Sequence, residues 1–152
     1  MSQVIIYTDG SALGNPGPGG YGVVMLAPPN HRKELSAGFR LTTNNRMELM
    51  AVCVGLEALK RPCNVTVYSD SKYVVDAVEK GWLKSWVAKR FKDKKNADLW
   101  MRYLKAVEPH NVKFVWVKGH ANNVENERCD TLAVAAANGK ALAGDTGYNP
   151  GE

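Results

Sequence analysis

Val4-Ile5-Ile6-Tyr7-Thr8-Asp9-Gly10 and Val65-Thr66-Val67-Tyr68-Ser69-Asp70-Ser71 decide how this chain folds. Each is a short β-branched and aromatic run, the composition that suits a buried strand, and each ends on an aspartate. Gly10 breaks the first run, while Asp70-Ser71 supplies a natural helix start after the second. If the two strands are parallel neighbours, both carboxylates emerge at one sheet edge, where open α/β sheets bind ligands.

Working outward, a Gly/Pro-rich stretch at 14–20 reads as a turn, followed by strand-like runs at 21–26 and 33–39 across Pro28-Pro29-Asn30. Links this short predict an antiparallel meander. The period turns helical over 45–60, with Leu49, Val52, Cys53, Leu56 and Leu59 on one stripe and Arg61-Pro62 as the stop. A helix opened at Asp70-Ser71 ends at Gly81. A basic stretch follows, then a helix over 97–107, a strand over 112–117, a polar loop over 118–123 and an Ala-rich helix over 125–138. This order predicts one α/β domain spanning 1–152 with a mixed sheet, a basic protrusion at about 80–96 and a loose tail from about 139.

With 45% hydrophobic and 23% charged residues the composition is that of an ordinary globular domain. No apolar run approaches the roughly 20 residues that cross a bilayer. Met1-Ser2-Gln3 leads straight into the first strand without the charged segment of a cleavable signal. Cys53, Cys63 and Cys129 are odd in number and spaced for neither a disulfide framework nor a zinc site. The expectation is reduced, buried thiols in a cytoplasmic protein. Residues 80–95 hold Lys80, Lys84, Lys89, Arg90, Lys92, Lys94 and Lys95 against Asp93, a net +6, which leaves −1 for the rest of the chain. Basicity confined to one patch is the footprint of a polyanion partner. Trp82, Trp86, Phe91 and Trp100 thread that patch; Trp82 and Trp86, one turn apart, could equally pack onto the body beneath a solvated face.

Four carboxylates are candidates for the chemistry. Asp9 could be a turn residue and Asp70 a helix cap, and either reading stands by itself. Asn45-x-x-Glu48 fits a capping box. Yet Glu48 lies only about 40° from Val52 around the helix, which aims its carboxylate at the protein body. Asp130 shares its side of the last helix with Ala133, Val134 and Ala137, an oddly apolar face for a solvated group. Carboxylates gathered at one edge repel each other, and hard divalent cations with oxygen ligands, magnesium above all, relieve this. Two such ions could clamp the attacking and leaving oxygens of a phosphoryl displacement. His120, in the loop before the last helix, is either solvated or a proton shuttle; His31 and His110 have only loop readings. The formal G-x-G-x-x-G at Gly17–Gly22 opens a strand rather than a helix, so it is no dinucleotide fingerprint.

Tyr7-Thr8-Asp9-Gly10-Ser11, Thr42-Thr43-Asn44-Asn45-Arg46-Met47-Glu48-Leu49, Tyr68-Ser69-Asp70-Ser71 and Val117-Lys118-Gly119-His120 with Asn126-Glu127-Arg128-Cys129-Asp130 resemble the bacterial type-one ribonuclease H family in order and spacing. Asp145-Thr146-Gly147-Tyr148 is similar to a family tail, so the likeness covers nearly the whole chain. It implies a five-stranded mixed sheet flanked by helices, and hydrolysis of the RNA strand of an RNA–DNA hybrid to 5′-phosphate and 3′-hydroxyl ends. It further implies two Mg2+ ions (Mn2+ substituting) on Asp9, Glu48, Asp70 and Asp130, and His120 as a mobile proton-transfer group. Asn15, Asn44 and Asn45 match residues that grip the hybrid's minor groove, and Thr43 and Asn96 a pocket for a DNA phosphate. Gly10, Ser11, Trp82, Lys89 and Arg90 complete the expected substrate contacts. The expected protein is a monomer with no organic cofactor and no membrane partner.

The chain departs from the family pattern in three places. The connection before the helix at 97 is about five residues shorter, which bears on the role of Asn96. Leu41 stands where an arginine of the phosphate pocket is usual, and Arg40 beside it would point to the opposite face of a strand, so weaker hybrid affinity is expected. Val124 replaces a common proline. Two rival readings are a module that grips hybrids without cutting, disfavoured by the intact acidic set, and a DNA-directed nuclease, disfavoured by the presence of Thr43-Asn44-Asn45.

Overall fold

A computed structural model describes residues 1–120 and 123–150, without the side chain of His120. Its strands are β1 (Ser2–Ala12), β2 (Gly17–Ala27), β3 (His31–Thr42), β4 (Cys63–Ser69), β5 (Asn111–Trp116) and β6 (Leu142–Ala143). Its helices are α1 (Asn44–Glu57), α2 (Lys72–Glu79), α3 (Trp82–Ala88), α4 (Ala97–Val107) and α5 (Val124–Ala137), with a 3-10 turn at Lys118–His120. The sheet runs β5-β4-β1-β2-β3-β6. β1, β2 and β3 form the expected antiparallel meander. β4 pairs parallel to β1, with Tyr7 opposite Tyr68, and β5 pairs parallel to β4. Two residues beyond the Tyr7–Tyr68 pair, Asp9 and Asp70 stand at the same end of the β1–β4 ladder. Asp70 follows β4 as expected, but β1 does not end at Asp9, which pairs with Gly22 of β2 in a strand that runs on to Ala12.

One face of the sheet carries the main core. Ile6 and Val23 meet α1 there, Val67 joins the same core, and Trp100 of α4 has no exposed surface. α1 is buried continuously over residues 46–53 because it lies between the sheet and α4. The other face of β1–β3 is covered by α5. Here the structure corrects the reading of residues 14–20 as a turn alone: from Gly17 onward the segment is strand. A β-carbon on Gly20 would strike the carbonyl of Ala133, and one on Gly22 that of Cys129, so these glycines admit α5 at close range.

The sixth strand is the second departure from the expected five, and it comes from the tail. Leu142 and Ala143 pair with Gly38 and Phe39 at the sheet edge. Beyond them Asp145 sits against Arg46, both side chains only 2% exposed, at 2.8 Å. The segment expected to be loose is therefore tied to α1 by a buried ion pair. Cys53, Cys63 and Cys129 are free and buried, as expected. No helix among the described residues is long and apolar enough to cross a membrane.

Candidate active site

Asp9 lies in the buried part of β1, between Thr8 and Gly10, Asp70 follows β4, and Glu48 projects from the second turn of α1. One carboxylate oxygen from each lies within 4.8 Å of the other two. Asp9 and Glu48 are 2% and 4% exposed, and Asp70 is half-buried. Gly10 makes this closeness possible. A β-carbon there would collide with the main chain at Met47 and Glu48. Without one, the Gly10 N–H donates to Asp9 Oδ1 at 2.9 Å and to Glu48 Oε1 at 3.1 Å.

The cap of α1 also differs from the sequence reading. Thr43, not Asn45, is the N-cap, its Oγ1 accepting the Arg46 N–H at 3.2 Å. Glu48 is thereby released from a capping box and turned toward Asp9. Burial first, then the negative charges of Asp9 and Asp70 and the adjoining Asp9 carboxyl, hold the Glu48 carboxyl well above the usual carboxylate range, while the Gly10 N–H opposes them. The second oxygen, Glu48 Oε2, is buried. A proton shared with Asp9 or a cation can satisfy it. Three oxygen donors at this spacing, carrying excess negative charge, fit a hard divalent cation.

Asp130 does not join the three within that distance. It is exposed, as is Val134 beside it, whereas Ala133 and Ala137 turn inward. The apolar face assigned to Asp130 thus belongs to the neighbouring side of α5. The preceding residue, Cys129, donates its thiol to the Tyr7 carbonyl at 3.2 Å. Asp130 therefore lies on the α5 turn that packs against β1, outside the three-carboxylate group. The backbone of His120 lies in the 3-10 turn before α5, and its side chain is outside the described residues. His110 has a structural partner, its Nδ1 accepting the Cys63 N–H at 3.1 Å.

Beside the N-terminus of α1 a cavity of about 370 Å³ is lined by Asn15, Thr43, Asn45, Lys95 and Asn96, with Tyr148 and Asn149 of the tail among its other walls. Four of the expected substrate residues thus meet in one place. Asn44 touches this group through its main-chain N–H, which donates to Asn15 Oδ1 at 3.1 Å. Asn96, in a left-handed conformation (φ 65°) that closes the shortened connection, accepts from Arg46 at 3.3 Å and donates to the Tyr73 hydroxyl at 3.1 Å. Ser11 follows Gly10 on β1 and is half-buried.

Lys89 and Arg90 are exposed, and Trp82 is 44% exposed. Of the paired tryptophans, Trp86 alone packs inward, its ring 5.8 Å from that of Trp100. Leu41 is 46% exposed and absent from the cavity wall, while Arg40 spends its guanidinium on the Leu142 carbonyl at 2.7 Å.

Three residues that sequence reasoning missed support this site. Lys95 brings a cation to the cavity that Leu41 and Arg40 do not supply. Arg46 braces one of the lining residues: it binds Asn96 as well as Asp145, and Asp98 at 2.7 Å. Trp116, on β5, donates its indole N–H to the Asp70 carbonyl at 3.2 Å. Lys95 was legible only as one more charge of the basic patch; the other two depend on contacts 46 to 99 residues apart in the chain.

The RNase H family model matches residues 1–138. A ribonuclease H of Desulforamulus reducens is 65% identical over 142 residues, covering 90% of this chain and 89% of that protein. The solved structure of LC9-RNase H1, a type 1 RNase H with the type 2 active-site motif, aligns with a TM-score of 0.80 at 34% identity, over 90% of this chain and 72% of that one. LC11-RNase H1, solved in complex with an RNA/DNA hybrid, aligns with a TM-score of 0.60 at 30% identity, over 88% and 96% of the two chains. The fold and the acidic cluster define a nuclease of the α/β class. The chain belongs to the ribonuclease H family, in its bacterial type-one branch.

Proposed function

We propose that this chain cuts the RNA strand of RNA–DNA hybrids endonucleolytically, leaving 5′-phosphate and 3′-hydroxyl ends. The observation that carries the reading is the convergence of Asp9, Glu48 and Asp70 from β1, α1 and the β4–α2 junction within 4.8 Å. These three, with Asp130 of α5, would hold two Mg2+ ions, or Mn2+ in their place. Bound there, the ions supply the positive charge that activates a water and stabilises the attacking and leaving oxygens of phosphodiester hydrolysis.

The chain's own residues do the rest. A strand and a helix hold Asp9 and Glu48 in place before substrate arrives. His120 passes a proton to the leaving 3′ oxygen and returns to solvent for another. Asn15, Asn44 and Asn45 hydrogen-bond the minor groove, where the 2′-hydroxyl separates RNA from DNA. Gly10 and Ser11 face the RNA strand next to Asp9. Thr43, Lys95 and Asn96 receive a phosphate of the DNA strand, with Lys95 supplying its counter-charge. Trp82, Lys89 and Arg90 extend the grip along the basic strip without reading sequence. α1 links the halves of the site, since Thr43 caps the helix whose second turn carries Glu48. The protein acts as a monomer in the cytoplasm and needs no organic cofactor, and residues 1–152 form one domain.

The test is one labelled sequence offered as RNA–DNA hybrid, RNA duplex and DNA duplex, each with magnesium and with chelator. Magnesium-dependent loss of the hybrid's RNA strand alone, with 5′-phosphate ends, is the expected result. An intact hybrid that is still bound would leave a non-cutting hybrid-binding module.

A further inference from the structure

The main chain around Asp70 poses a problem that neither neighbouring element solves. Asp70 lies between the end of β4 and the cap of α2. Its carbonyl is past the last β4–β5 register pair, Ser69–Trp116, and precedes the Ser71 carbonyl, which accepts the first helical N–H of α2 from Val75. A carbonyl at such a junction has no partner from the regular hydrogen-bond patterns of sheet or helix. Trp116 provides one, its indole N–H reaching Asp70 O at 3.2 Å. On either side, Val117 N–H donates to Ser69 O at 2.9 Å and Ser71 N–H to Ser69 Oγ at 3.1 Å. From the first residue of α2, the Lys72 ammonium sits 4.5 Å above the Trp116 ring. The indole is thus held on its edge by Asp70 and on its face by Lys72, although 40% of the residue is exposed.

Trp116 ends the edge strand β5 and is 40% exposed, so its indole edge and face are free to serve Asp70 and Lys72. We infer that Trp116 is a positioning residue for Asp70: its indole N–H fixes the peptide that carries the carboxylate, and so sets the distance of Asp70 from Asp9 and Glu48. Lys72 holds the ring in the orientation that makes this bond. Asp70 stands at a junction while Asp9 and Glu48 stand on regular elements, so a side chain from β5 has more to fix at Asp70. The inference rests on the metal reading of the cluster.

Trp116→Phe keeps an aromatic face for Lys72 and removes only the N–H, so it tests the bond directly. In the ion-free protein, backbone order parameters at 69–71 are expected to fall in the variant while those of the β4 interior stay unchanged. Mn2+ binding, counted by electron paramagnetic resonance of the free ion, is expected to weaken three- to tenfold. Hybrid affinity in chelator should be unchanged, and in turnover kcat should fall at limiting metal with little change in KM. Unaltered order parameters and Mn2+ affinity overturn the inference, whether or not the melting temperature drops. A loss of hybrid affinity in chelator with Mn2+ binding intact also overturns it, making Trp116 a substrate contact. Should the parent protein itself bind no Mn2+, the metal reading fails, and the order parameters alone decide whether Trp116 positions Asp70.

Discussion

The main-chain N–H of Gly10 donates to Glu48 Oε1 at 3.1 Å, across the interface between β1 and α1. This contact brings a helix and a strand close enough for their acids to share a ligand, and it exists because position 10 has no side chain. In Gly10→Ala the added methyl meets the main chain at Met47 and Glu48 rather than a flexible side chain. The helix must shift, at a cost of about 1–3 kcal/mol in stability. Denaturant unfolding should show that loss, and cleavage should fall far more than stability because Glu48 moves off Asp9.

The acid cluster should make the ion-free protein sensitive to pH in a defined direction. Burial and the charges of Asp9 and Asp70 raise the Glu48 carboxyl above its ordinary 4.5 in the folded state. A carboxyl raised on folding gives stability that is fully present below the unfolded value and is lost as pH climbs through the folded one. Glu48→Gln removes that dependence. Melting curves in chelator should therefore coincide for variant and parent near pH 4 and favour the variant increasingly toward neutrality. Added magnesium should close the gap by stabilising the parent alone.

Much of this site is legible in the sequence, and the residues that are not share a cause. Asp9 and Asp70 could be paired because two similar β-branched runs each lead into an aspartate, a local signal, even though β1 runs on to Ala12 alongside β2. The inward aim of Glu48 follows from helical geometry, even though the cap proves to be Thr43 instead of Asn45. The glycines of β2 read locally as a turn; only the presence of α5 across the sheet reveals them as a packing surface. Asp130 was placed by counting apolar neighbours on an Ala-rich helix, where small residues tolerate either environment and the count misleads. Asp145 lies 99 residues from Arg46 in the chain, so nothing near either residue announces their pairing.

That pairing makes the tail structural. Asp145→Ala leaves the buried Arg46 guanidinium with Asp98 and Asn96 but without its most buried partner. Removing one member of a buried pair costs about 3–5 kcal/mol, or on the order of 10 °C in melting temperature for a domain of this size. Hybrid affinity should fall as well, since Arg46 also orients Asn96 in the cavity wall. Calorimetry and hybrid binding in chelator measure the two effects separately.

Lys95 lines the cavity and Leu41 does not, so charge at position 95 should set phosphate affinity. Lys95→Ala is expected to weaken hybrid binding and to lower the slope of log affinity against log salt by about one. Leu41→Ala should leave both unchanged. Neutralising Lys89, Arg90, Lys92 and Lys94 as well should flatten the slope further while kcat at saturating hybrid is kept.

The most direct test of the central claim is cleavage by Asp9→Asn of an RNA–DNA hybrid in magnesium, with hybrid binding and melting temperature measured on the same protein. The substitution removes one charge from the three-carboxylate cluster with almost no change in side-chain volume. The account predicts a folded protein that binds the hybrid and does not cut it. A variant that cuts at the parent rate would contradict the assignment of catalysis to Asp9, Glu48 and Asp70.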